Sequence, residues 1–276
     1  MKNLSALVGL VLILSACGNN ASPTVEAITA TKQDTIFYPQ QSKVIGTDDR
    51  IKVKKDGSNV DTNLRGYLDA FGIISLGDGV CSGTHIGNGF VLTAGHCIIP
   101  EGQTGVVTNQ DCSKIKVYWG YRGSPDTGSP KPIVTLASQC TTVVYAELDN
   151  DRDFAIFKVD QAPSVSIPIS KSTPSSGTKV TVFGYPQGRP LEWSQYCQVV
   201  SVANSTTRFE HQCDTEPGNS GSSIIALNSS GNPMVVGIHD ASTQDDYNLG
   251  TYFSAAMITM KAKTGFDIAN ATAKFF

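Results

Sequence analysis

An all-β fold is what this sequence predicts, and three observations carry the prediction. From residue 71 onward, short runs rich in Val, Ile, Thr, Tyr and Phe follow one another. Between them stand Gly, Asn, Pro and Ser; the 276 residues include 26 glycines and 13 prolines. Only at 255–263 does the apolar spacing allow a helix, and a short one. So many short strands at regular intervals suit two small barrels better than one large sheet.

The chain opens on a targeting segment. Lys2 precedes an apolar run over residues 4–14, too short for a stable membrane span. The run ends Leu14, Ser15, Ala16, Cys17 and then Gly18, a string that resembles the lipobox of bacterial lipoproteins. That resemblance implies a signal peptide over 1–16 and lipid on Cys17. The alternative is an ordinary secretory signal with a chance cysteine; on either reading the protein is exported. Residues 17–43 are polar and lack apolar periodicity, which fits a tether or a pro-segment.

After the turn in VIGTDDRIKV (44–53), the predicted strands fall at 71–76, 85–94, 113–120, 132–138, 141–148 and 153–159. Others fall at 178–186, 196–203, 222–227 and 233–239. A single helical turn is expected at 93–97.

Composition removes several classes of function. The chain is 40% apolar and 16% charged, with a net charge of −3 and no basic run, so nothing favours nucleic acid. Setting Cys17 aside, six of the seven cysteines remain: Cys81, Cys97, Cys112, Cys140, Cys197 and Cys213. An even number in an exported chain reads as three disulfides, with the connectivity open at this point. A metal site would have to use Cys97 beside His96 and Cys213 near His211, without any Cys-x-x-Cys spacing, so no metal and no cofactor is expected.

Three short strings carry chemistry. EPGNSGS (216–222) places Ser220 in a tight turn whose backbone N–H groups can form an oxyanion hole. TAGHC (93–97) sets His96 on a corner just past a strand, and Asp153 opens the strand DFAIFKV. Each alone is ordinary: a loop, a packed histidine, a turn residue. Together they supply the nucleophile, the base and the carboxylate that orients the base, as acyl transfer requires.

TAGHC, DFAIF and GNSGS in that order resemble the chymotrypsin-like serine peptidases, specifically their bacterial glutamyl-endopeptidase branch. VIGTDDR resembles the mature N-terminal segment of that branch, and VTVFGYP and VVGIH extend the likeness over about residues 44–260. The resemblance implies a chymotrypsin-like double β-barrel with the active site in the cleft between the barrels. The peptidase domain would span 44–276, divided into barrels at about 44–160 and 161–276. It implies His96, Asp153 and Ser220 as the triad and the N–H groups of Gly218 and Ser220 as the oxyanion hole. Asn219 stands where many animal relatives carry an aspartate that pairs with a freed N-terminus, so activation by that pair is not expected.

Within this frame, Cys81 and Cys97 match the family's bridge beside the catalytic histidine. Cys197 and Cys213 lie on neighbouring strand candidates and are paired, leaving Cys112 with Cys140. For specificity, Thr215 and His239 match the positions that bind a substrate carboxylate in the glutamyl branch. Asp214 stands where trypsin-like enzymes bind Arg or Lys, and residues 240–242 depart from the aromatic and glycines usual there. An acidic preference before the scissile bond leads, with a basic one as competitor.

The function expected is an exported serine endopeptidase, monomeric, acting on proteins or peptides. It would be held at the membrane by Cys17, facing the periplasm or the cell exterior, or released by a cut near Lys43. The alternative is an inactive protease-fold binding lipoprotein. Metal-dependent hydrolysis is a third class, and it lacks a ligand motif.

Overall fold

The computed structural model describes residues 42–129, 131–201, 207–243 and 247–268. The expected signal peptide, Cys17 and the expected tether or pro-segment up to residue 41 lie outside the described residues. Among the described residues, no helix is long and apolar enough to cross a membrane.

The described chain begins with β1 (Ile51–Lys52) and one turn of helix, α1 (Thr62–Arg65). There follow β2 (Phe71–Ser75), β3 (Val80–Gly87), β4 (Phe90–Thr93), β5 (Gly105–Val107), β6 (Lys116–Trp119), β7 (Leu136–Leu148) and β8 (Asp153–Val159). Strands β7, β6, β2, β3, β4 and β8 pair in that order, and β8 returns to β7 to close a six-stranded barrel. β5 adds to the side of β7.

The second half repeats the plan. It contains β9 (Lys179–Gly184), β10 (Glu192–Ser201), β11 (Arg208–His211), β12 (Ser223–Leu227), β13 (Pro233–Ser242) and β14 (Asn248–Tyr252). The order β10, β11, β14, β13, β12, β9 closes through β9 and β10. Helix α2 (Phe253–Thr264) ends on Gly265 in the left-handed conformation, φ 73°. The ladders of both barrels are antiparallel, and closure removes the exposed edges that short strands would otherwise leave.

The period-2 alternation of the strands separates three apolar clusters. In β2, Ile74 faces the first barrel's interior with Val91, Val117, Trp119 and Phe157. Phe71 and Ile73 face the other way, into a core shared by both barrels. In β9, Val180 and Val182 fill the second barrel while Phe183 joins the shared core. There the rings of Phe71 and Phe183 stack with centroids 4.6 Å apart. Burying each such ring stabilises by roughly 1.5–3 kcal/mol, so the shared core fixes the barrels against each other and with them the cleft.

The two-barrel expectation holds, with local corrections. The single strand expected at 85–94 is a hairpin, because Asn88 (φ 50°) and Gly89 (φ 75°) make a left-handed two-residue turn. The two strands expected at 132–138 and 141–148 are one, β7, bent by bulges between Cys140 and Thr142 and between Val143 and Tyr145. β1 pairs with β10, so this early segment builds the second barrel rather than the first. β5, β11 and β14 were not expected; β11 reads Arg-Phe-Glu-His and β14 Asn-Leu-Gly-Thr-Tyr, too polar or glycine-containing to stand out.

Candidate active site

His96 lies in the single turn Gly95–Cys97 that follows β4. Cys97 is disulfide-bonded to Cys81 of β3, which ties this corner to the barrel wall. Asp153, the first residue of β8, is 4% exposed and uses both carboxylate oxygens on the corner. Oδ1 accepts the His96 backbone N–H at 2.9 Å, and Oδ2 lies 2.6 Å from ring Nδ1. An ionised carboxylate can only accept, so Nδ1 carries the proton and Nε2 of the neutral ring keeps its lone pair. Burial alone would push the imidazole pKa down, but the Asp153 charge and hydrogen bond, with the Asp240 charge, together more than offset it, and the ring sits above its ordinary value.

Ser220 is held against this corner by backbone. Its carbonyl accepts the Ser82 N–H at 2.8 Å, one residue from the bridged Cys81. Ser82 Oγ donates to Gly218 O at 2.8 Å and accepts the Tyr185 N–H at 3.0 Å, joining the loop to both barrels. Gly221 must be glycine here: its φ is 83°, and a Cβ would collide with Thr93 Oγ1 and Ser82 O. Gly218 has φ 99°, and a Cβ there would stand 2.6 Å from Tyr185 O. Asn219 N–H bonds Glu216 O, Gly221 N–H bonds His239 O and Ser222 N–H bonds Asn219 O. The N–H groups of Gly218 and Ser220 have no protein acceptor among the described residues. Two donors left open on one glycine turn are what an oxyanion hole needs.

The specificity candidates divide. Thr215 and His239 are both fully buried, and both touch the segment that enters from residue 42. Ser42 Oγ lies 3.0 Å from His239 Nε2, and Lys43 N–H donates to Thr215 Oγ1 at 3.2 Å. Asn248 grips the same residue twice, accepting Lys43 N–H at 3.0 Å and donating to Lys43 O at 2.7 Å. Asp214 is placed elsewhere than the pocket role read from its position. Its Oδ1 accepts Ile45 N–H at 2.7 Å and its Oδ2 accepts Asp49 N–H at 2.8 Å. Both oxygens are spent on backbone, so the carboxylate clamps the segment instead of awaiting a basic side chain.

Sequence reasoning missed several residues here. His211 Nε2 stands 3.4 Å from His239 Nδ1, and burial pushes its pKa down to about 3, so it is neutral. Arg50 pairs with Asp48 and with Glu216 at the foot of the loop that carries Ser220. Asn248 and His211 sit on the strands the sequence did not reveal, whereas Arg50 follows directly from VIGTDD.

Disulfides also join Cys112 to Cys140 and Cys197 to Cys213. The groups Cys81–His96–Cys97 and Cys197–His211–Cys213 bring metal-ligating types together, but their sulfurs are bonded to each other and offer no thiolate.

Two closed barrels with a histidine–carboxylate pair and a glycine-flanked serine turn between them define the chymotrypsin-like serine peptidase architecture. The trypsin-like peptidase domain model matches residues 79–238, and the chain belongs to that family. Among solved structures, a Glu endopeptidase in complex with MPD is 24% identical, with a TM-score of 0.58 over 84% of this chain and all of that one. The Rv3671c protease of M. tuberculosis H37Rv, in an inactive form, is 17% identical, with a TM-score of 0.53 over 78% of this chain and all of that one. No curated protein sequence matches the chain.

Proposed function

We propose that this peptidase is an exported serine endopeptidase working through His96, Asp153 and Ser220, with a preference for Glu or Asp before the scissile bond. The observation that carries the mechanism is the double engagement of His96 by Asp153. It fixes both the tautomer and the ring plane, and leaves Nε2 as the base.

His96 Nε2 takes the proton of the Ser220 hydroxyl as Oγ bonds the scissile carbonyl carbon. The carbonyl oxygen becomes an oxyanion held by the N–H groups of Gly218 and Ser220. The C–N bond then breaks, the proton passes from His96 to the departing amine, and an acyl-enzyme remains. Water repeats the sequence: His96 takes its proton, hydroxide adds to the ester, and Ser220 leaves with the proton restored.

The acidic preference rests on the chemistry of the pocket. Thr215 and His239 supply a hydroxyl and an imidazole, donors suited to a carboxylate, and the competing Asp214 charge is consumed by Ile45 and Asp49. The disulfides fit an oxidising compartment outside the cytoplasm. Lipid attachment at Cys17 and a cut near Lys43 belong to the same proposal: the uncut chain lays Ser42 and Lys43 over His239 and Thr215, where the substrate side chain would bind.

A fluorophosphonate probe tests the mechanism. The expected result is a stoichiometric adduct on Ser220 that is absent in Ser220→Ala; a folded wild-type protein that takes no label supports the inactive binding protein instead. A peptide-library profile tests the pocket, with cleavage after Glu or Asp expected and cleavage after Arg or Lys overturning it.

A further inference from the structure

Behind the catalytic pair lies a second buried carboxylate that the reaction scheme above does not use. Asp240 follows His239 on β13, and its side chain is wholly inaccessible. Its Oδ2 accepts the Thr251 hydroxyl at 2.5 Å, and that same hydroxyl lies 3.4 Å from the Asp153 backbone N–H. Thr251 of β14 is therefore a bridge from Asp240 to the first residue of β8. Asp240 Oδ1 is buried with no hydrogen-bond partner among the described residues. The charge facing it comes from β11, where Arg208 Nε stands 3.7 Å from Oδ2.

A lone ionised carboxylate in such a place is costly, and a purely structural role would be served by a hydroxyl able to satisfy itself. The groups around it explain what a carboxylate can do that a hydroxyl cannot. Asp153, His96 and Arg208, from β8, the histidine turn and β11, act on Asp240 through their charges. With neutral His96 the four groups sum to one negative charge, two carboxylates against one guanidinium. When His96 takes the Ser220 proton the sum falls to zero. The cluster is thus electrostatically matched to the imidazolium that forms in the transition state, not to the resting ring.

We propose that Asp240 and Arg208 form a counter-charge pair behind the triad that tunes the basicity of His96, with Asp240 as a positioning residue acting through Thr251 and Asp153. This rests on the peptidase reading for its consequence, but not for its measurement. Burial pushes the Asp240 carboxyl up to about 6, with Arg208 pulling the other way. The Asp240 charge is therefore in place before an imidazole raised above its ordinary value loses its proton as pH rises.

The sign of each effect follows. Catalysis needs neutral His96, so activity rises with pH through the imidazole pKa, giving the acid limb of kcat/KM. Asp240→Asn removes a negative charge near the ring, and both the His96 pKa and the acid limb move to lower pH, by about one unit. Arg208→Gln removes the opposing charge and moves both to higher pH. The double variant brings them back toward the wild type.

The measurement is the His96 imidazole titration by NMR on the oxidised protein, with kcat/KM against pH beside it and Tm as the control for folding. Opposite displacements in the two single variants support the proposal. Unmoved His96 titrations alongside lowered Tm make the pair merely structural and overturn it. If Asp240→Asn does not fold, Asp240→Ser and the Arg208→Gln displacement alone decide. The NMR titration reads His96 whether or not peptides are cleaved, so loss of the peptidase reading leaves this result intact.

Discussion

The corner that carries His96 and Asp153 and the cluster of Thr215, His239 and Asn248 are both buried, yet they are built from different kinds of contact. In the corner, one carboxylate fixes a backbone N–H and a ring nitrogen, and a disulfide one residue away anchors the turn. In the cluster, His239 of β13, Asn248 of β14 and Thr215 beside the serine loop close around a segment that arrives from residue 42. The contacts between His96 and Asp153 lie within the first barrel. The Thr215–His239 cluster is finished by chain from outside both barrels, so its accessibility can change while the corner stays as it is.

The largest effect is expected where the corner is broken without disturbing the pocket. Asp153→Asn keeps the shape, but its amide NH2 can donate, so the ring is driven to the tautomer that places the proton on Nε2. We expect kcat to fall by about 10⁴-fold with KM little changed. A fall in kcat below tenfold would mean that Asp153 is not the orienting carboxylate.

The same contrast decides what the sequence could reveal. TAGHC, Asp153 and GNSGS are contiguous strings whose chemistry depends on neighbours in the chain, so residue type and spacing were enough to select them. The barrels were legible through β2, β4, β8, β9 and β12, whose alternating apolar residues face one of three cores. β11 and β14 hid because their pairing replaces what their composition lacks: at Gly250 of β14, Phe209 and Ile224 press so close that no side chain fits. Asn248 and His211 were lost with those strands. Asp214 was left open by the sequence for another reason. Position suggested a pocket, but two backbone N–H groups some 165 and 169 residues away in sequence claim its oxygens, and no local pattern encodes such a contact.

An intermediate effect should come from the pocket side alone. A chain that starts at Val44 lacks Ser42 and Lys43, so Thr215, His239 and Asn248 lose an intramolecular competitor. An internal competitor that holds the site most of the time reduces apparent affinity by the open fraction. The shortened chain is therefore expected to show a KM for acidic peptides about tenfold lower than the chain carrying residues 42 and 43, with kcat within about twofold. Equal KM values in the two chains would show that the segment leaves the pocket unaided. A drop in kcat instead would place the segment in support of the nucleophile loop, through Arg50 and Glu216.

The smallest effect separates the two meanings of Asp214. If its charge served a basic substrate, Asp214→Asn would erase cleavage after Arg or Lys. The structure instead gives each oxygen a backbone donor, and an asparagine can accept only one of them, turning its NH2 toward the other. One mispaired N–H on a partly exposed segment costs about 0.5–1.5 kcal/mol. That corresponds to a Tm lower by roughly 1–6 °C. The preference for acidic peptides should survive, because Thr215 and His239 remain. The clamp at Ile45 and Asp49 should loosen, so residues 42 and 43 would leave His239 more readily and KM would fall slightly even as the fold weakens. A less stable protein that binds its substrate a little better would follow from a clamp on the segment and from no pocket aspartate; a rise in KM confined to basic peptides would restore the pocket role.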